Sequence, residues 1–347
     1  MFSKTSQQIR HISPTYPRAL YFNDDLYVGW VHGGRFLEIA ATDPRLGSVF
    51  YTLDQTQNPG PAIRRDRGEC LACHAGGRTK NVPGLLVRSV SALANGRPDF
   101  RLGTQTTDHR TPLEDRFGGW YVTGTHGQMK HRGNVFSGGI TDEATGSETG
   151  LNRCKLASHV RRSAYLEPGS DLVALMVLEH QTQMHNLITL ASYTAQRVDY
   201  QQKSMKKVLQ RAATYRSESV RRRLDAVTEQ LLEYLLFCDE FRLADSIAGT
   251  SDFAQQFATS APRDSKGRSL KDLDLQTRLL KYPCSYLIYS EAFRALPVPI
   301  TNRVKQRMKE ILTGRDTSDR YLHLTAVDQQ AVREILSETH PLFEYAF

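Results

Sequence analysis

The sequence lacks any apolar run of about 18 residues, the length that a membrane-spanning helix requires. Its N-terminal stretch, MFSKTSQQIRHISPTYPRAL, also lacks the apolar segment of a secretory signal peptide. Low-complexity tracts and internal repeats are absent as well, which excludes fibrous and repeat architectures. With 39% apolar and 24% charged residues, the 347-residue chain has the composition of a globular protein without a transmembrane segment.

Cysteine is scarce, with five residues in the whole chain: Cys70, Cys73, Cys154, Cys238 and Cys284. An odd number at wide spacing argues against a framework of disulfides. Cys238 and Cys284 lie in apolar surroundings, so we expect both to be buried like small hydrophobic residues.

The formal net charge of +8 is moderate and would help the protein meet an acidic partner or an anionic substrate. The charges are scattered, apart from one dense basic stretch from Lys206 to Arg223 that is also typical of a solvated helix face. Because no nucleic-acid-binding motif accompanies this charge, we do not expect a nucleic-acid partner.

Two halves of the chain differ in character, and together they predict an α+β fold. Residues 1–165 are rich in Gly, Pro, Thr and aromatic residues, and we interpret them as irregular β structure with long loops. Residues 166–347 have helical periodicity, and they form either a second region packed on the first or part of one continuous domain. The strand-like runs are Leu26–Val31, Phe36–Ala40, Val49–Leu53, Leu85–Val90 and Trp120–Thr123.

Five helices are predicted in the second half. They cover residues 171–197 with Ser170 as N-cap, Ser219–Ala244, Leu270–Leu296 with a break at Pro283, a segment from Thr301 to Gly314, and a last one that begins at Thr325 and is capped with Asp328. Residues 250–268 are the best candidate for a loop between them.

Residues 70–74, CLACH, match the Cys-x-x-Cys-His pattern to which haem is covalently attached. The thiols of Cys70 and Cys73 would bind the two vinyl groups of one porphyrin, and His74 would be the proximal ligand of its iron. The alternatives are a redox dithiol, half of a zinc site, or chance. A zinc site lacks its second pair of ligands here, and the flanking Arg-Gly-Glu and Ala-Gly-Gly indicate a loop rather than the strand and helix around a thioredoxin-like dithiol.

A second axial ligand would come from histidine or methionine. His180 lies on an apolar stripe of the helix at 171–197, one turn before Met184, whereas His185 points about 140° away from it. A further cluster in the first half contains His109, His126 and His131, with Met129 between the last two. These residues predict a bis-histidine haem, a haem beside a second metal ion with Glu179 as a further ligand, or histidines that satisfy backbone and core hydrogen bonds.

Long stretches of the chain resemble a family of bacterial cytochrome c domain proteins, of mostly undefined role, from planctomycetes and some proteobacteria. The similarity covers nearly the whole chain. The matching stretches are residues 17–31 (PRALYFNDDLYVGWV), 43–55 (DPRLGSVFYTLDQ), 70–90 (CLACHAGGRTKNVPGLLVRSV), 108–127 (DHRTPLEDRFGGWYVTGTHG), 131–134 (HRGN), 175–187 (LMVLEHQTQMHNL) and 282–297 (YPCSYLIYSEAFRALP).

This resemblance implies one covalent haem c at Cys70 and Cys73 with His74 as proximal ligand. It also implies that the segments around five other histidines are features of the family, namely those around His109, His126, His131, His180 and His185. It also implies an exported, periplasmic protein, so we expect that the natural N-terminus with its signal sequence is missing from this chain.

The leading functional hypothesis is a periplasmic electron-transfer cytochrome that docks a redox partner protein. The alternative is a haem enzyme with an open distal position that acts on a peroxide or an oxidised nitrogen or sulfur compound, with Arg110 and Tyr121 in its distal pocket. A haem-based sensor or assembly factor, and a haem-free protein, are the remaining hypotheses.

Overall fold

The computed structural model describes residues 1–55, 60, 62–137, 151–209, 217–344 and 346–347. Within these residues the strands lie in the N-terminal half, and all helices longer than one turn lie in the C-terminal half. The α+β fold that the sequence predicts is therefore confirmed.

The larger sheet is an antiparallel meander in which five strands pair in sequence order. Its strands are β1 (Ala19–Phe22), β2 (Leu26–Trp30), β3 (Phe36–Asp43), β4 (Gly47–Asp54) and β5 (Ile63–Arg65). A small second sheet pairs β6 (Arg88–Val90) with β7 (Thr104–Thr106). Tyr27, Ala40 and Phe50 are direct cross-strand neighbours, and all three are buried, so one face of the larger sheet is packed on the core.

The strands at 26–31, 36–40 and 49–53 are confirmed in type, and those at 85–90 and 120–123 are not fully realised. Only the last three residues of the run at 85–90 form a strand. Residues 120–123 form no ladder, because the Asn134 amide pairs with both the N–H and the carbonyl of Val122 and replaces a neighbouring strand. Thr123 forms an isolated bridge with Asp171.

Seven α-helical segments are found in the described residues. They are α1 (Leu71–His74), α2 (Leu172–Leu209), α3 (Glu218–Leu235), α4 (Phe253–Thr259), α5 (Glu291–Arg294), α6 (Val298–Leu312) and α7 (Ala326–Thr339). The N-cap of α2 is Asp171 rather than Ser170, because the Asp171 carboxylate accepts hydrogen bonds from the N–H groups of Val173 and Ala174. The predicted capping box at Thr325 and Asp328 is confirmed.

Several predicted bounds are wrong. Helix α2 continues to Leu209, beyond the predicted end at residue 197, and α6 begins at Val298 rather than after Thr301. Helix α3 ends at Leu235 rather than at residue 244, because Phe237 and Asp239 adopt left-handed backbone angles, with φ of 59° and 62°. The segment 270–296 is largely irregular: Leu273 and Leu280 form an isolated bridge, and only a 3-10 turn at 286–289 and α5 are helical. Residues 250–268, predicted as a loop, contain α4.

One hydrophobic cluster unites the two halves of the chain. It contains Tyr27 and Phe50 of the sheet together with the apolar side chains of α2, α3, α6 and α7. Both Cys238 and Cys284 are fully buried in this cluster, as predicted. A smaller cluster groups six other buried residues, namely Phe2, Ala92, Tyr121, Phe136, Ala157 and Val160.

Helix α2 is 38 residues long, its residues between Leu172 and Val198 contribute to the main cluster, and its predicted apolar stripe is buried. None of the helices in the described chain is both long and apolar enough to cross a membrane. The basic stretch from residue 206 to residue 223 lies partly outside the described residues, since 210–216 are not among them.

Candidate functional site

The CLACH segment forms a single helical turn, α1, rather than the loop that its flanking residues predict. The N–H groups of Cys73 and His74 donate to the Cys70 carbonyl at 3.1 and 3.0 Å. The Asp66 carboxylate accepts the N–H groups of Gly68 and Cys70 and so fixes the start of the turn. A helical turn brings both cysteines and the histidine to one local surface.

The two thiols differ in environment, and neither forms a disulfide. Cys73 is exposed, whereas Cys70 is partly buried and packs against the main hydrophobic cluster. Burial, together with the charge of Asp66, raises the pKa of Cys70 to about 12, so this residue is a neutral thiol at neutral pH. A protonated, inert thiol is poorly suited to a redox dithiol, which depends on an accessible thiolate.

The His74 imidazole is oriented by one hydrogen bond, from its Nδ1–H to the carbonyl oxygen of Gly84 at 2.9 Å. The Phe50 ring lies beside it, with ring centroids 4.8 Å apart. Burial lowers the pKa of His74, so the ring is neutral near pH 7. Because Nδ1 carries the proton, Nε2 carries a lone pair, and no described residue hydrogen-bonds to it. This is the arrangement of a metal-ligating histidine with a carbonyl in its outer shell.

Helix α2 holds the segment behind His74 in place. The Asn186 side chain accepts the N–H of Leu85 at 2.8 Å and donates to the Leu85 carbonyl at 2.7 Å, both in a buried environment. Gly84 has no room for a side chain, since a Cβ there would overlap the Asn186 amide oxygen. Gly47, with φ of +73°, is equally confined between the carbonyl of Pro83 and the Thr189 side chain. The sheet, α2 and residues 83–85 are thereby packed together behind the His74 ring.

His180 and His109 form a buried pair that is remote in sequence but adjacent in space. Their Nδ1 atoms lie 2.7 Å apart and share one proton, and Nε2 of His180 lies 2.7 Å from the Ser285 hydroxyl. The two imidazoles are stacked between Tyr234 and Phe237, with centroid distances of 4.0 to 5.4 Å. Both nitrogens of His180 are therefore occupied, whereas Nε2 of His109 is buried with no partner among the described residues.

His126 and His131 are neighbours, with ring centroids 4.7 Å apart. His126 donates from Nδ1 to the Met129 carbonyl and accepts the N–H of Asn152 at Nε2, so both of its nitrogens are occupied. His131 accepts the N–H of Gly133 at Nδ1. Burial, with a contribution from His126, lowers the pKa of His131 to about 3, so the neutral ring carries its proton on Nε2. Neither histidine offers a free lone pair in this arrangement.

His185 lies on the side of α2 that faces the sheet, away from His180 as the helical periodicity predicts. Its Nε2–H donates to the Asp24 carbonyl at 2.7 Å, which leaves a lone pair on Nδ1. That Nδ1 is buried without a partner among the described residues. The ring packs edge-on against Tyr27, which lies two strands from Phe50 in the same cross-strand row and hence about 10 Å from it.

The described residues do not bring any of the five candidate histidines into hydrogen-bond or ring contact with His74. They also contain no group of three or more His, Cys, Asp or Glu side chains that could hold a metal ion. Glu179, expected beside a second metal, instead pairs with the buried Arg116 at 3.2 Å and accepts the Thr107 hydroxyl at 2.6 Å. No ready site for the second metal is therefore found in this part of the chain.

Arg110 and Tyr121, predicted to line one distal pocket, lie in different clusters. Arg110 donates to the Cys238 carbonyl and lies over the Tyr234 ring in the main cluster. The Tyr121 hydroxyl donates to the Pro14 carbonyl and belongs to the smaller cluster.

Comparisons with protein-family models, curated proteins and solved structures find no match. The resemblance to cytochrome c domain proteins stays a prediction, and the chemistry of the site depends on the geometry described above.

Sequence reasoning missed the residues that position His74 and those that stabilise the core around α2. The buried ion pair of Arg116 and Glu179 was not predicted, and neither was the anchoring role of Asn186. A signal for both exists in the run LEHQTQMHN, since so many polar residues inside an otherwise apolar helix each require a partner. The only sequence signal at Gly84 is that it follows Pro83 in a Pro-Gly pair.

Proposed function

We propose that this protein is a periplasmic c-type cytochrome that binds one haem at CLACH and transfers single electrons. The observation that carries the proposal is the hydrogen bond from His74 Nδ1 to the Gly84 carbonyl. It leaves the Nε2 lone pair of a neutral imidazole available directly beside two unpaired cysteines.

The residues of the turn fit covalent haem. Cys70 and Cys73 would hold the porphyrin through thioether bonds, and His74 would be the axial ligand on one side of the iron. The bound iron would supply the one-electron step between its ferric and ferrous states. The chain itself would fix the ring plane of His74 through Gly84, and it would exclude water from the inner edge through Phe50.

Exposure of the turn favours electron transfer over chemistry in a closed pocket. Cys73 is exposed, and Leu71 of the same turn is 37% exposed, so an attached haem would have an edge near the surface. A partner protein could then approach this edge directly. Covalent haem attachment takes place outside the cytoplasmic membrane, which is why the proposal includes the periplasm.

The test is expression in the periplasm of a host that matures c-type cytochromes, followed by pyridine-haemochrome spectroscopy of the purified chain. We expect one covalently bound haem per chain. The double variant Cys70→Ala/Cys73→Ala should lose it, whereas Cys154→Ala, which removes an exposed cysteine outside the motif, should keep it. A wild-type chain without a covalent c-type band would refute the proposal.

A haem enzyme with an open distal position is the second candidate, and one observation favours it. Of the five candidate histidines, His126, His131 and His180 keep no free lone pair with which to become a second ligand of the iron. A ferric spectrum that is high-spin, with rapid binding of cyanide, would favour this candidate over the electron carrier.

If the ferric haem is instead low-spin, His185 is the first residue to test as the sixth ligand of the iron. It is the candidate with a definite unpartnered lone pair that also faces the side of the sheet on which His74 packs. His185→Ala should then convert the spectrum to high-spin, whereas His180→Ala should not, because both nitrogens of His180 are engaged elsewhere.

A further inference from the structure

Basic side chains surround the CLACH turn. Residues 63–88 contain six of them, namely Arg64, Arg65, Arg67, Arg78, Lys80 and Arg88, and only two acidic ones, Asp66 and Glu69. This segment of 26 residues thus has a net charge of +4, half of the formal net charge of the 347-residue chain. This segment is one of two concentrations of basic charge in the chain, the other being the stretch from Lys206 to Arg223.

Arg64 and Arg65 lie on β5, the edge strand of the larger sheet, and both are exposed. Charged residues on an edge strand also prevent pairing with another chain, so these two alone would not indicate a partner. Arg67 and Arg78, however, are exposed outside any strand. The edge-strand explanation does not extend to them.

The basic residues lie on both sides of the turn. Arg64, Arg65 and Arg67 come directly before it in the chain. Arg78 follows the turn in the 3-10 turn at Gly77–Thr79, and Lys80 comes directly after it. The exposed thiol of the motif is therefore flanked by positive charge.

The acidic side chains of the segment, Asp66 and Glu69, offset only part of this positive charge. Within the described residues, Arg64, Arg65, Arg67, Arg78 and Lys80 form no ion pair. The Asp66 carboxylate accepts the backbone N–H groups of Gly68 and Cys70 and keeps its negative charge. The patch also has exposed apolar side chains, Leu71 at 37% and Ile63 at 67%. Apolar contacts within a rim of arginine are typical of protein interfaces.

We infer that this basic patch, defined as Ile63–Arg67 with Leu71 and Arg78, is the docking surface for an acidic electron-transfer protein. The inference rests on the proposed function, because the patch surrounds the residues that would hold the haem. Opposite charge would speed the encounter and orient the partner with its redox centre toward the exposed edge. Leu71 and Ile63 would then supply the short-range contact.

The test uses the haem-loaded protein and reduced flavodoxin, an acidic one-electron donor, in stopped-flow kinetics over a range of ionic strength. The patch variants are Arg64→Glu/Arg65→Glu and Arg67→Glu/Arg78→Glu. The matched control is Arg221→Glu/Arg222→Glu on α3, which changes the net charge equally. These control residues are exposed and lie away from the patch. The neighbouring Arg223 contacts Gln201, which lies about 18 Å along α2 from Thr189, and Thr189 is the residue that packs on Gly47 of the sheet.

At low ionic strength we expect each patch variant to react at least about tenfold more slowly than the wild type, and the control to stay within about twofold. The wild-type rate constant should fall as salt is added. Equal losses in patch and control variants, or a rate constant independent of salt, would overturn the docking inference but leave the cytochrome proposal intact if dithionite still reduces the haem. Absence of covalent haem would instead overturn the cytochrome proposal itself.

An anionic membrane is the other surface that such a patch would attract. Cosedimentation with phosphatidylglycerol vesicles that both patch variants abolish, combined with a salt-independent reaction with flavodoxin, would assign the patch to lipid and overturn the inference.

Discussion

The Asn186 side chain is predicted to be a principal support of the candidate haem site, and Asn186→Ala tests this. The side chain satisfies both backbone groups of Leu85, a residue 101 positions earlier in the chain. The adjacent Gly84 carbonyl is the acceptor that orients His74. Alanine at position 186 would leave the N–H and the carbonyl of Leu85 buried without partners.

The expected cost follows from those two groups. Each buried backbone group that loses its partner costs about 1 to 3 kcal/mol, so we expect the free energy of unfolding to fall by about 3 kcal/mol. The unfolding entropy of a chain of this length, at about 2.1 cal/mol/K per residue, converts this loss to about 4 °C in Tm.

Urea unfolding followed by circular dichroism measures the first value, and calorimetry measures the second. Gln196→Ala on the same helix is the matched control, because it removes one hydrogen bond from an exposed amide to Ser192 and should cost below about 0.5 kcal/mol. Asn186→Asp adds a sharper test, since a protonated carboxyl can replace the amide but a carboxylate faces the Leu85 carbonyl. Its deficit relative to wild type should therefore shrink as the pH is lowered.

Two results would refute this reasoning. One is an Asn186→Ala variant as stable as the Gln196→Ala control. The other is an Asn186→Asp variant whose deficit does not depend on pH.

Three further predictions concern the core and one helix end. At pH 8, where Glu179 is ionised, Glu179→Ala leaves the Arg116 guanidinium buried without a counter-charge and should cost about 3 to 5 kcal/mol in urea unfolding, and Glu179→Gln, which keeps an acceptor, should cost less. Burial lowers the pKa values of His180 and His131 from 6.5 to about 3, so between pH 6.5 and 3 the folded chain binds fewer protons than the unfolded chain. The free energy of unfolding should therefore decrease as the pH is lowered through this range. Burial raises the pKa of Glu179 from 4.5 to about 7, which offsets this loss of stability above pH 4.5. The steep decrease in the free energy of unfolding is therefore expected between about pH 4.5 and 3. Unfolding titrations at pH 7, 4.5 and 3.5 that give equal free energies would contradict it. Thr325→Ala removes the capping box of α7 and should lower the stability by about 1 kcal/mol, which a thermal melt would detect.

Local patterns predicted those elements whose stability is itself local. Strands β2, β3 and β4 alternate or cluster their apolar residues, and α7 carries its own cap, so both kinds of element were found from the sequence. The segment 270–296 was mistaken for a helix because its apolar residues are spaced like those of one. Its backbone bonds go to distant partners instead, such as the carbonyl of Leu235, which accepts the N–H of Ser285.

The candidate site likewise combines residues that local sequence patterns predict with residues that they do not. The CLACH turn is identified by five adjacent residues, and the acceptor for His74 lies only ten positions away, so its chemistry is encoded almost locally. The basic patch is local too, but its importance depends on exposure, which composition does not give. The support from Asn186 spans 101 positions, and no single-sequence pattern reports such a pairing.

The histidines of α2 show why an inward direction on a helix is a poor guide to ligand function. Periodicity placed His180 on the buried stripe, and His180 is indeed buried. Both ring nitrogens of His180 have partners, however, in His109 and Ser285, which leaves no lone pair for a metal. His185 satisfies one nitrogen with the Asp24 carbonyl and keeps a lone pair on the other. The partner of the second ring nitrogen, rather than the face of the helix, therefore decides which histidine has a lone pair available for a metal.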